Sequence, residues 1–144
     1  MVNRRDFIKK GCIACMGLTG VTTLLEACSA PLQVVKLGNT PDNTLVVAAD
    51  KFTEQTKMLV LRSDHLDNDI LLVKNNASYN ALLLMCTHEG YALTPTDSKI
   101  FCNAHGSQFD LEGHVIKEPA LKPLTRYKTA LINNNITIYL NQKV

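Results

Sequence analysis

The chain has 144 residues, which suits one domain of ordinary size, and its formal net charge is +2 at pH 7. Residues 1–27 contain four basic and two acidic residues, so the rest of the chain has 11 of each and no net charge. A neutral domain has no electrostatic attraction for polyanions, and we therefore expect no nucleic-acid partner.

Residues 1–27 are predicted to be an export signal. The pair Arg4–Arg5 lies in a basic head, and an uncharged apolar run follows from Gly11 to Leu25. The run Arg-Arg-Asp-Phe-Ile-Lys resembles the twin-arginine signal of bacteria, and Leu-Glu-Ala-Cys resembles a lipobox that ends at Cys28. We therefore expect lipidation of Cys28 and a domain that is exported and anchored to a membrane, facing the periplasm.

The alternative to a lipid anchor is an apolar run that stays uncleaved in the membrane. A run of about 15 residues rises only about 22 Å as a helix, whereas a bilayer core is roughly 30 Å thick. Cys12 and Cys15 form a C-x-x-C pair inside this run. Because that segment is expected in a membrane or removed, we do not expect the pair to act as a redox or zinc site.

The remaining chain divides into a tether and a β domain. Residues 28–43 are rich in Pro, Gly and Asn, which predicts a tether, and residues 44–144 form the predicted domain. Short apolar or alternating runs predict strands at Val46–Ala49, Met58–Leu61, Ile70–Val73, Ala81–Met85, Arg126–Ile132 and Ile136–Leu140. We expect an all-β fold, a small antiparallel barrel or sandwich, with an inserted subdomain of loops and short strands within residues 86–125.

Two short segments of this inserted part carry the residues with metal chemistry. They are Cys86-Thr87-His88-Glu89-Gly90 and Cys102-Asn103-Ala104-His105-Gly106-Ser107. Each segment offers one thiolate and one imidazole, in the order C-x-H…C-x-x-H. This order is that of 2Fe–2S clusters in which two histidines replace two cysteines on one iron. His65 and His114 follow no such pattern, and we expect them at the surface or in loops.

Two other uses of these residues stay open at this point. A structural zinc ion could take two cysteines and two histidines, although zinc sites favour paired cysteines followed by paired histidines. A disulfide between Cys86 and Cys102 would suit an exported protein, but it leaves both histidines without a role.

Both segments resemble the cluster loops of the Rieske family, and Glu118-Pro119-Ala120 followed by Pro123-Leu124 resembles its proline-bearing third loop. The resemblance implies one 2Fe–2S cluster per chain, with an inner iron bound by cysteines and an outer iron bound by histidines near the surface. The implied ligands are Cys86 and Cys102 on the inner iron and His88 and His105 on the outer iron. By the same resemblance Ser107 donates its hydroxyl to a bridging sulfide.

Four positions depart from the Rieske proteins of quinol:cytochrome complexes. Tyr91 and Ala104 stand where those proteins carry two cysteines joined as a disulfide. Phe109 stands where a tyrosine often donates to a ligand sulfur, and Glu89 stands where an apolar residue is common. A lost donor and an added negative charge both disfavour the reduced cluster, which predicts a reduction potential in the lower part of the Rieske range.

The sequence therefore predicts an electron-transfer protein that is tethered to a membrane and has no catalytic activity alone. Its expected partners are redox proteins, such as a cytochrome or a membrane oxidoreductase. One alternative is a Rieske subunit of a quinol:acceptor or arsenite-oxidase-like complex. Another, from a different class, is a zinc-stabilised binding module.

Overall fold

The computed structural model describes residues 32–38, 42–76 and 78–144, and these residues form a β structure with a single short 3-10 turn at Ala49–Lys51. The strands are β1 Gln33–Lys36, β2 Thr44–Ala48, β3 Met58–Arg62, β4 Ile70–Asn75, β5 Ser78–Leu83, β6 Leu93–Pro95, β7 Ile100–Cys102, β8 Gln108–Phe109, β9 Val115–Lys117, β10 Arg126–Ile132 and β11 Asn135–Lys143. The predicted export signal, including Cys12 and Cys15, and the predicted lipidation site Cys28 lie outside the described residues.

Seven strands form a large curled sheet in the order β1-β3-β4-β5-β10-β11-β2. Its neighbouring strands are antiparallel, except that β1 runs parallel to β3. The predicted all-β fold, a small barrel or sandwich with an inserted part, is confirmed. All six predicted strands are present, with ends that differ from the prediction by up to three residues.

A second, smaller sheet is inserted between β5 and β10. It has four short antiparallel strands in the order β6-β7-β8-β9. The loop before β6 and the loop after β7 are the two segments that carry cysteine and histidine. The inserted sheet therefore presents both segments from one compact unit.

Strand β1 lies within the segment expected to be a tether. Gln33–Lys36 pairs with β3 over four residues, and the N–H of Leu37 donates to the carbonyl of Arg62 at 2.9 Å. The apolar pair Val34 and Val35 suits a strand, although the surrounding Pro, Gly and Asn residues suggested a linker. The ordered domain therefore begins before residue 44.

The alternation of side chains along the central strands explains the core. In β4, Ile70 and Leu72 pack in one buried set with residues of β2, β3 and β11, whereas Leu71 and Val73 pack in a second set. The second set reaches the small sheet and includes Phe109. Because successive residues of a strand point to opposite faces, the first four residues of β4 are buried on both sides, which explains the unbroken apolar run Ile70–Val73.

Candidate metal centre

The first loop of the site is closed by two backbone hydrogen bonds. The N–H of Cys86 donates to the carbonyl of Tyr91, and the N–H of Gly90 donates back to the carbonyl of Cys86, both at 2.8 Å. Gly90 has a φ of 77°, a left-handed conformation that glycine adopts without the steric cost of a Cβ. The result is a tight turn that begins at the cysteine.

The second loop repeats this pattern 16 residues later. The N–H of Cys102 donates to the carbonyl of Ser107 at 2.9 Å, and the N–H of Gly106 donates to the carbonyl of Cys102 at 3.0 Å. Gly106 has a φ of 83°. The two loops thus share one backbone geometry, but the histidine is the third residue of the first loop and the fourth of the second.

The structure separates the two ligand types by burial. Cys86 and Cys102 are free thiols with only 1% and 2% of their surface exposed. Both belong to the core set between the sheets. His88 and His105 are exposed, with ring centroids 5.1 Å apart and planes at 87°. The alternative disulfide between the cysteines is not formed.

Glu89 and Tyr91, two of the four atypical positions, lie against His105. The Oε2 atom of Glu89 is 3.6 Å from Nδ1 of His105, and the Glu89 side chain is 53% exposed. The ring of Tyr91 meets the imidazole edge-on, with centroids 5.8 Å apart. A carboxylate and an aromatic ring therefore surround the second histidine at the surface of the domain.

A third loop, residues 118–122, holds both cluster loops. The hydroxyl of Thr87 donates to the carbonyl of Lys122 at 2.6 Å, and the N–H of Ala120 donates to Oγ of Ser107 at 3.0 Å. The sequence pointed to the proline-bearing segment through the family resemblance. These two hydrogen bonds could not be predicted from the sequence. In each of them one partner is a backbone group, which every residue type except proline offers as a donor and every residue offers as an acceptor.

Ser107 gives a test of whether these residues fit a 2Fe–2S cluster. Its side chain is fully buried, and its oxygen accepts the hydrogen bond from Ala120. Among the described residues, no protein acceptor receives the proton of this hydroxyl. A buried donor without a partner is costly, whereas a sulfide beside Ser107 would satisfy it. The residues therefore fit the group.

The other two histidines lie outside this site. His65 and His114 are both exposed, as expected. His114 pairs with Asp110 in the turn between β8 and β9, at 3.1 Å between Nδ1 and Oδ2.

Comparison with known proteins agrees with the geometry. A family profile described as the Rieske 2Fe-2S domain matches residues 42–128, which is more than half of the chain. The chain belongs to the Rieske family. The domain binds one 2Fe–2S cluster per chain, and its chemistry is the transfer of electrons.

Two relatives are iron–sulfur subunits of cytochrome b6-f complexes. The chain is 33% identical over 100 residues to subunit 3 of Nostoc sp., a match that covers 68% of this chain and 50% of the relative. It is 24% identical over 140 residues to the subunit of Chlorobaculum thiosulfatiphilum, covering 94% of this chain and 74% of the relative. This Rieske chain thus spans half the length of the Nostoc subunit.

The fold is also similar to a solved structure described as the complex of reduced oxygenase and oxidized ferredoxin in carbazole 1,9a-dioxygenase. The TM-score is 0.54 at 18% identity, and the match covers 72% of this chain and 97% of the other. At 18% identity this similarity shows a shared fold and nothing about a shared function.

Proposed function

We propose that Cys86 and Cys102 bind the inner iron of the cluster and that His88 and His105 bind the outer iron. The support is the contrast between the two buried thiols and the two exposed imidazoles, which gives the site a buried end and a surface end. Ser107, whose hydroxyl proton has no acceptor in the part of the chain that the structure describes, would donate to a bridging sulfide.

The spacing of the ligand atoms argues against the zinc-stabilised binding module. Four ligands around one tetrahedral zinc ion lie about 3.4–3.8 Å from one another, given Zn–N and Zn–S bonds of about 2.1 and 2.3 Å. Within the described residues, the only group of three or more possible ligand atoms that all lie within 4.8 Å of one another comes from His88, Glu89 and His105. Neither cysteine joins both histidines in such a group. Two metal ions account for this separation better than one.

The function supported best is one-electron transfer through the histidine end of the domain. The observation that carries it is the exposed imidazole pair, with 43% of the His105 side chain accessible. Two ferric ions, two sulfides, two thiolates and two neutral imidazoles sum to zero charge. A neutral cluster accepts an electron more readily than one with four thiolates. A partner that docks on His88 and His105 would therefore exchange electrons with little protein in between.

The location of the domain is proposed from the N-terminal sequence. A twin-arginine signal would export a folded chain with its cluster, and lipidation at Cys28 would anchor it on the periplasmic side of a membrane. Bacterial relatives from membrane complexes support a membrane association. Among the described residues there is no helix with the length and apolarity needed to cross a bilayer.

A second candidate is the iron–sulfur subunit of a quinol-oxidising complex, which the two cytochrome b6-f relatives favour. Against it stand Tyr91 and Ala104, which leave the two loops without a disulfide. Glu89 also places a carboxylate beside His105. We therefore rank the tethered electron carrier first and the complex subunit second.

Metal analysis of the purified chain tests the cluster and its ligands. We expect two irons and two acid-labile sulfides per chain, and a rhombic paramagnetic signal after reduction. Cys86→Ser and His105→Ala should lose this signal, whereas the matched control His65→Ala should keep it, because His65 is exposed and remote in sequence from both loops. Stoichiometric zinc without visible absorbance would contradict the proposal.

Isolation of the tagged full chain from native membranes separates the two candidates. A tethered carrier should purify without stoichiometric haem, and its cluster should oxidise and reduce reversibly by itself. A constant ratio of b-type haem to cluster through two chromatographic steps would favour the complex subunit instead.

A further inference from the structure

The domain has two opposite ends along strands β3, β4 and β5. At one end, Ile70 pairs with Leu83, three residues before the first cluster cysteine. At the other end, Asn75 pairs with Ser78. We call these the cluster end and the groove end. The six residues of β4 between them span roughly 17–20 Å at about 3.3 Å per residue.

The chain enters the domain at the groove end. Gln33 in β1 pairs with Leu59 near the start of β3, and β1 then runs in parallel with β3 toward the cluster end. Leu32 packs on the core set between the two sheets. It also lines a groove of about 390 Å³ with residues that include Met58 and Val73. The turn at Asp97, between β6 and β7, lines the same groove, so both sheets end here.

The position at which the chain enters the domain is fixed, and few residues join it to the proposed anchor at Cys28. Val35 and Leu37 pack on the core of the large sheet, which holds β1 in place. Leu32 lies four residue steps after Cys28, a reach of at most about 14 Å at 3.3–3.6 Å per residue. An uncleaved helix that ends at Leu25 would leave seven residue steps to Leu32, or about 25 Å.

We propose that the groove end of the domain rests on the lipid surface of the membrane and that the cluster end points away into the aqueous phase. This inference rests on the membrane anchor of the proposed function. In the inverted orientation, with the cluster end on the lipid, Leu32 would stand at least one β4 length, about 17–20 Å, above the surface, which is farther than the chain from Cys28 can reach while β1 stays paired. The histidines would then stand about one β4 length farther from the lipid than the groove.

This orientation limits the kind of redox partner. A quinol dissolved in the bilayer would not reach His88 and His105, whereas a water-soluble or projecting protein would. Charge does not set the orientation, because Lys57 and Lys74 at the groove end are offset by the nearby acidic residues Glu54, Asp97 and Glu112. The contact between the groove end and the lipid surface should therefore persist at high salt concentration.

Lysine footprinting of the full chain in vesicles of its native lipids tests the orientation. Lys57 lies at the groove end and Lys122 at the cluster end, where its carbonyl accepts from Thr87, and both residues are exposed. A membrane-impermeant acylating reagent should modify Lys57 several-fold more slowly than in a control chain with 20 Gly/Ser residues inserted after Ser29. That insertion adds a reach of about 25 Å. Lys122 should react equally in both chains, with or without added salt.

The outcomes distinguish this inference from the anchor on which it rests. A chain that does not sediment with vesicles contradicts the proposed anchor itself. A chain that sediments but shows no protection of Lys57 overturns the orientation alone. Protection of Lys122 instead of Lys57 would mean that the cluster end faces the lipid, as a quinol-oxidising role requires.

Discussion

Substitution of Ser107 by alanine isolates the contribution of one buried hydroxyl to the site. In the structure this hydroxyl accepts a hydrogen bond from Ala120, and its own proton has no acceptor among the described residues. Ser107→Ala therefore removes two interactions at once, and each has its own readout. The first is the reduction potential of the cluster, and the second is the stability of the third loop.

The two effects can be estimated separately. A hydrogen bond to a charged group contributes about 1.5–3 kcal/mol at most, and for one electron about 59 mV corresponds to roughly 1.4 kcal/mol. We expect the potential to fall by tens of millivolts, with about 125 mV as the ceiling. Ala120 is fully buried, so its unpaired N–H should lower the free energy of unfolding by about 1–3 kcal/mol.

Protein-film voltammetry and urea unfolding measure the two effects. Thr87→Ala is the matched control, because Thr87 also binds the third loop but already donates its proton to the carbonyl of Lys122. This control should lose stability without a comparable fall in potential. An unchanged potential in Ser107→Ala, or an equal fall in Thr87→Ala, would refute the role assigned to the serine hydroxyl.

Three further changes test other parts of the site and domain. Phe109→Tyr should raise the reduction potential by tens of millivolts. Phe109 packs in the core set that contains both cysteines, so a hydroxyl there could donate to a ligand sulfur. Voltammetry that shows no rise would contradict this. Glu89→Gln should raise the potential by less, since its carboxylate is largely screened by water, and a shift larger than that of Phe109→Tyr would contradict the screening. Burial raises the pKa of Tyr127 above 10, so the unfolded chain ionises first and the protein should lose stability as the pH rises above about 10. Tyr127→Phe should remove that loss in urea titrations at about pH 8 and pH 11, and an unchanged pH dependence would argue against it.

The strands could be predicted because their chemistry is local. The run from Ile70 to Val73 is apolar at every position, and burial on both faces of β4 is the physical reason. Strand β1 was assigned to the tether instead, because only Val34 and Val35 indicate a strand among linker-like residues. Its stability comes from pairing with β3, a contact that sequence spacing does not reveal.

The site was predictable to the extent that it depends on side-chain identity. The spacing of cysteines and histidines indicated the cluster, and the atypical residue Glu89 could be noted from the sequence. Its position against His105 could not, because it depends on how the two loops face each other. The hydrogen bond from Ala120 to Ser107 was equally hidden, since any residue other than proline supplies the same N–H donor.

The third loop also has a consequence for the life of the protein in the cell. Because no disulfide joins the cluster loops, the bonds of Thr87 and Ser107 to residues 118–122 add to the direct contacts of Glu89 and Tyr91 with His105. Leu121, in the middle of that segment, is 81% exposed. A protease that cuts there would weaken the support that this segment gives to both loops. In chains that have not acquired iron, we expect this segment to be less ordered. Quality-control proteases should therefore degrade these chains faster than chains that carry a cluster.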